Sequence, residues 1–151
     1  MAYMDYQKAL KIGEKTYKTC TSNGAYPYLP VLEDMLSKEI SKSQVRLGLV
    51  EIPVELIVGT YSSGRTTAFA SDFMPLLDPD TEFASKWSHL YDSLIEEGQR
   101  DPIIAYEYLN RFYIVEGNKR VSVQKFMEAV TVEGIVTRII PQKNDSKEIR
   151  I

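Results

Sequence analysis

The chain has 151 residues, 44% of them apolar and 26% charged, which suits one domain with a real core and excludes general disorder. A net charge of -3 excludes a surface coated with cations for nucleic acid, though not a local basic pocket. One cysteine, Cys20, excludes an internal disulfide. Met1 to Lys11 is polar and mixed in charge, unlike a signal peptide. No apolar run nears the roughly 20 residues of a membrane helix. A soluble, cytoplasmic protein without membrane association is expected.

Tyr6, Ala9, Leu10, Gly13, Tyr17 and Cys20 recur in steps of three and four, predicting an amphipathic helix. Asn23-Gly24 reads as its C-terminal stop. An aromatic connector, AYPYLP, follows. A second helix is expected from near Pro30, a residue suited to a first turn, to about Ile40. Leu49 to Val58 reads as one strand or two short ones, broken near Pro53. Gly59 to Pro79 is a long connection of the kind that is often functional or mobile. A helix should then begin with Asp78 or Asp80 as its cap. It shows Phe83, Trp87, Leu90, Tyr91, Leu94 and Ile95 on one face and stops at Gly98. Ile103 to Leu109 and Phe112 to Val115 should pair as a hairpin around Asn110-Arg111. A helix after Gly117 runs to about Ala129, and Val132 to Ile140 is a strong strand. Lys143 to Lys147 is polar and loose, and Glu148 to Ile151 can begin another strand. The expected domains are a helical arm over 1–45, a mixed α+β domain over 46–142, and a tail over 143–151 that can be the start of a longer region.

The chemistry-bearing stretch is VEGNKRVS, residues 115–122. A strand-to-helix turn exposes N–H groups at the positive end of the helix dipole. Gly117 lets backbone approach a ligand closely. Lys119 and Arg120 add charge, and Arg can grip a phosphate with two parallel hydrogen bonds. Ser122 can cap the helix or touch the same ligand. The bland alternative is a glycine turn with surface cations. A second polar loop, GTYSSGRTT, residues 59–67, surrounds Arg65 with glycines and hydroxyls. Its Ser62, Ser63, Gly64, Thr66 and Thr67 can form an anion nest or a lid, or simply a solvated loop. Glu116, or Asp72 if the long loop folds back, can hold a metal or act as a base, or merely pair with an arginine. His89 reads as structural or exposed. Cys20 has no nearby His, and no His or Cys spacing suggests a metal site. Tyr3, Tyr6, Tyr17, Tyr26 and Tyr28 crowd the N-terminal arm, as packing or as an interface for a protein partner or self-association.

The order of elements resembles the ParB N-terminal domain. Ile52-Pro53-Val54-Glu55-Leu56-Ile57 and the polar loop ending in Arg65 are similar to that family's opening strand and loop. LYDSLIEEG before DPIIAY, and RFYIVEGNKRVSVQKF after it, are similar to its later motifs, and VEGIVTRII matches its closing strand. The resemblance covers roughly Val50 to Ile140. It implies a ParB/sulfiredoxin-like fold, a small mixed sheet with packed helices, here preceded by a helical arm. In that superfamily the loop-to-helix motif binds nucleotide phosphates. Gly117, Arg120 and Arg65 match the motif residues, whereas Asn118 and Lys119 replace the family's Glu and first Arg. Sulfiredoxin's reactive Cys is matched by Asn118, which excludes that redox chemistry. The free-serine kinases of the superfamily have a similar layout, with Glu116 at the acid position. The helix-turn-helix region that follows in ParB is absent from these residues.

The expected function is a ParB-like regulatory module that binds a nucleotide or other phosphate-bearing small molecule. Arg65, Gly117, Asn118, Lys119, Arg120 and Ser122 would hold it, and binding would order the 59–79 loop. One alternative is a phosphotransferase or nucleotide hydrolase using Glu116 with Mg²⁺. Another is a DNA-associated domain acting through a partner or a missing region, direct DNA binding being disfavoured by the acidic charge.

Overall fold

A computed structural model describes residues 2–36 (2 and 3 in backbone alone), 43–64, 66–99 and 101–141. Helix α1 spans Ala2–Ser22. It ends at Gly24, φ +71, where the N–H of Ala25 bonds the carbonyl of Cys20 at 2.8 Å and that of Gly24 bonds Thr21 at 3.2 Å. This is the paired closure a C-terminal glycine allows. Helix α2 is one turn, Leu32–Met35, and Leu36 is already extended. The longer helix expected here does not form within the described residues, because β-type pairing takes the backbone first. Pro30 O accepts from Thr60 N and Tyr61 O from Glu33 N, both at 3.0 Å. The rest of that predicted helix and the predicted tail over 143–151 lie outside the described residues.

Strand β1, Gln44–Pro53, begins earlier than the sequence suggests. As expected, Pro53 breaks it. A short 3-10 turn, Val54–Leu56, leads into β2, Ile57–Thr60. The 59–79 connection is not an open loop. After a 3-10 turn at Thr66–Ala68 it buries Phe69, Phe73 and Met74 in the core. It ties itself with Ala70 N to Met74 O at 2.8 Å and Leu76 N to Ala68 O at 2.9 Å. Helix α3 is Glu82–Glu97, capped by Thr81 rather than an aspartate: Thr81 Oγ1 accepts from Ala84 N at 3.1 Å and donates to Asp78 O at 2.7 Å. Gly98 closes it, whereas Ile95 is exposed instead of facing the core. Strands β3, Ile103–Tyr108, and β4, Arg111–Glu116, form the predicted hairpin. Its turn is Leu109-Asn110, both at positive φ, one residue before the expected pair. Helix α4 is Asn118–Phe126 and β5 is Thr131–Ile139.

The sheet order is β1-β5-β3-β4-β2. β1–β5 and β3–β4 are antiparallel, and β3–β5 and β2–β4 parallel. The α+β class read from the sequence is therefore correct: a five-stranded mixed sheet with packed helices behind an N-terminal helix. One face carries the main core, where α1, α3 and α4 bring Tyr6, Phe83, Trp87 and Val121 onto Ile52, Ile103 and Ile114. Trp87 is its centre, with Tyr6 edge-on at 5.4 Å, Phe126 at 5.5 Å and Tyr91 stacked at 5.8 Å between ring centres. Losing such a buried ring costs about 3–5 kcal/mol. Among the described residues the other face is covered at one end, where Leu32 meets Tyr108, Tyr113 and Ile139. No helix among the described residues is long and apolar enough to cross a membrane.

Candidate functional site

Strand β4 runs out at Glu116, the chain turns at Gly117 with φ +116, and α4 starts at Asn118. An L side chain is strained at that φ. A Cβ there would also stand 2.7 Å from Ile103 Cγ2. Packing against β3 therefore already requires the glycine, independently of any ligand. The first α4 ladder bond is Val121 N to Gly117 O, 2.9 Å. The N–H groups before it have no acceptor within the helix and point outward at the positive end of its dipole.

That first turn forms one wall of a cavity of about 480 Å³. Thr60, Ser62 and Gly64 form the facing rim, and Phe69, Phe83, Leu90 and Val115 supply an apolar wall. The volume is that of a small-molecule site, with polar groups converging at one end. Asn118 joins the two rims. Its Nδ2 donates to Thr60 Oγ1 at 3.2 Å, while Thr60 Oγ1 donates to Ile114 O at 3.0 Å. A hydroxyl has one proton. Because that proton goes to Ile114, Thr60 can only accept from Asn118, which fixes which pole of the amide faces it. Asn118 Oδ1 is left buried without a donor. An unpaired buried acceptor costs about 1–3 kcal/mol, so the turn holds unspent hydrogen-bonding capacity.

The other predicted residues fall on both sides of this line. Glu116, Lys119 and Arg120 line the cavity, Glu116 being exposed. Lys119 Nζ lies 5.3 Å above the Phe83 ring. Arg120 Nη1 donates to Asp101 O at 2.9 Å and reaches Pro102 O at 3.5 Å. The guanidinium thus fastens α4 to the segment entering β3. Arg120 and Leu90 also separate the main cavity from a smaller one of about 250 Å³, lined further by Leu94, Asp101 and Gln124. Ser122 does not line the cavity. It is fully buried, and its hydroxyl accepts from Trp87 Nε1 at 2.8 Å. Of the lid residues only Ser62 and Gly64 line the cavity. Ser63 is exposed beside them, Thr66 is buried in its 3-10 turn, and Thr67 lines a separate hollow with Glu14, Tyr17 and Tyr28. Arg65 lies outside the described residues. Asp72 folds back onto α1 instead of the site, accepting from Thr16 Oγ1 at 2.6 Å and Met74 N at 3.0 Å.

Sequence reasoning missed Phe69, Phe83, Leu90 and Val115 as lining residues. Phe83 and Leu90 show only as members of a core-facing helical stripe, and nothing in the sequence says the stripe borders a cavity. Among the described residues no cluster of three or more His, Cys, Asp or Glu side chains is placed to hold a metal. Cys20 Sγ lies 3.5 Å from Ser71 Oγ and His89 is exposed.

No protein-family model matches the chain, and no curated protein matches it either. Among solved structures it is similar to sulfiredoxin from Arabidopsis thaliana, with a TM-score of 0.42 and 20% sequence identity over 68% of this chain and 98% of that one. That similarity assigns no chemistry to any residue here.

Proposed function

We propose that the protein binds a phosphate-bearing small molecule, a nucleotide, between the Thr60–Gly64 rim and the first turn of α4. The observation that carries this reading is the Asn118 turn. A helix start, two cationic side chains and an amide with an unpaired pole all border one cavity. The helix N-terminus, Lys119 and Arg120 favour the anion. Phe69, Phe83, Leu90 and Val115 give a base or other apolar portion a surface to lie on. Glu116 is the carboxylate among the lining residues. It suits a Mg²⁺ that arrives on the phosphates, since that ion is commonly held by one or two carboxylates and the substrate itself.

Calorimetric titration with CTP, ATP, ADP and GTP, each with Mg²⁺, tests the reading on the natural chain and on Asn118→Asp. An acid in the first helical turn suits the dipole, but a carboxylate cannot donate to Thr60 Oγ1 as the amide does. The variant should therefore be less stable by about 1–3 kcal/mol, and it is titrated at a temperature where its circular dichroism matches that of the natural chain. Its added negative charge should weaken phosphate binding about tenfold or more. Saturable binding of one nucleotide, lost in this way, supports the proposal. No binding by any of the four to the folded chain, or equal affinity in the variant, overturns it. A turnover assay on the bound nucleotide then decides whether Glu116 takes part in chemistry.

A further inference from the structure

β1 and β2 are the two edges of the sheet. The β2 edge is covered by the Pro30–Glu33 backbone. The β1 edge carries no further strand among the described residues. A long, apolar, uncovered edge is a template for another strand, and Leu49, at 63% exposure, is the most exposed large apolar side chain in the strand.

The register with β5 gives this edge a particular pattern. It slips between Arg46 and Gly48, so Leu47 is an extra residue, with Gly48 at φ +79. Bulges often blunt an edge. Here the bulge also changes which residues share a face. Arg46, Leu49 and Glu51 pair with Thr137, Ile135 and Glu133, and so stand together on the sheet face away from the main core. Leu49, Ile135 and Ile104 form a cross-strand row on that face, exposed by 63%, 37% and 36%. Glu51 stands directly opposite Glu133, a like-charge pair that disfavours the sheet. Neither Arg46 nor Glu51 has an ion-pair partner among the described residues.

We propose that β1 pairs antiparallel with β1 of a second copy of this chain about a two-fold axis at Leu49. Counting the bulged Leu47-Gly48 as one position, Leu49 faces its own copy, Val50 faces the bulge, and Arg46 faces Glu51. The strand is therefore complementary to itself in charge, and each Glu51–Glu133 pair receives a cation. The two apolar rows join into one, Ile104, Ile135 and Leu49 continuing into the same residues of the second copy, and the two sheets become one. An isologous contact of this kind closes and does not propagate.

Sedimentation equilibrium on the full chain, from low to high micromolar concentration, tests the proposal. A monomer–dimer equilibrium is expected. Leu49→Lys puts like charges on the axis and should weaken the dimer about tenfold or more. Because Leu49 is exposed, the circular dichroism of that variant should match the natural chain. Arg46→Glu and Glu51→Arg should each weaken the dimer, and the two together should restore it. A monomer at every concentration overturns the proposal and leaves the edge to a strand of another protein or to none. A dimer unaffected by Leu49→Lys places the contact elsewhere and also overturns it. Failure of the double exchange to restore the dimer overturns this register.

Discussion

Ser122 and Trp87 are 35 positions apart, yet the indole N–H of one ends on the hydroxyl of the other. Removing that hydroxyl leaves a buried donor unsatisfied, which costs about 1–3 kcal/mol. Ser122→Ala should lower stability by that amount in urea unfolding and leave nucleotide affinity unchanged. A loss of affinity at unchanged stability would return Ser122 to the ligand site. The sequence places Glu116 to Arg120 at a strand-to-helix joint because the periodicity changes there. It hides the inward turn of Ser122 because Val121, Ser122, Val123 and Gln124 are all buried. Four consecutive buried positions have no helical period to read. The bond between Asn118 and Thr60 is equally hidden, since it spans 58 positions and neither residue announces a partner. Gly117 can be read as a turn glycine, but its neighbour Ile103 cannot. With positive φ and that contact together, Gly117→Ala should cost at least about 1–3 kcal/mol in the same unfolding assay. A neutral result would show that the turn relaxes freely.

At the scale of elements, helix α1 was legible from Tyr6 to its glycine stop because its buried residues follow a strict period, whereas its start at Ala2 was not. Nor was its docking. Gly13 lies in the middle of the helix, where glycine is unfavourable by about 1 kcal/mol relative to alanine. A Cβ at that position would run into the carbonyl oxygen of Pro75. Backbone cannot swing aside as a side chain can, and overpacking of this kind costs about 1–3 kcal/mol. The clash should outweigh the gain in helix propensity. Gly13→Ala should lower the thermal midpoint by a few degrees, at about 2–4 °C per kcal/mol for a chain of this size. A raised midpoint would mean that α1 slides on the 73–76 segment at no cost. The same contrast explains the other elements. Pro53 breaks a strand through its own chemistry, so its effect is local and readable. The start of helix α2 is held by hydrogen bonds to Thr60 and Tyr61, partners that no local pattern near Pro30 reveals.

Across the whole molecule, two titratable groups from distant parts of the chain are carried into the interior, and burial favours the uncharged form of each. Tyr6 is fully buried and donates to Leu77 O at 2.6 Å. Desolvation, and then the nearby Asp78, push its phenol well above the ordinary range. Lys125 donates to Val54 O at 3.0 Å beside the Phe73 ring. Desolvation lowers its ammonium, with Asp72 opposing in part. The two act in opposite directions on stability. Between the lowered value of Lys125 and the ordinary lysine value of about 10.4, the unfolded chain binds more protons, so stability rises with pH. Above about 10 the unfolded chain releases the Tyr6 proton while the folded chain keeps it, so stability falls by up to about 1.4 kcal/mol per pH unit from this group alone. Urea unfolding from neutral to strongly alkaline pH should therefore show a gentle rise and then a steep fall. Tyr6→Phe should lose about 1 kcal/mol near neutrality, where the bond to Leu77 is missing, and then decline less steeply than the natural chain. The two curves should converge as pH rises past the ordinary tyrosine value. Curves that stay parallel would mean that the phenol of Tyr6 reaches water in the folded state, contrary to its position beneath Trp87 and Phe83.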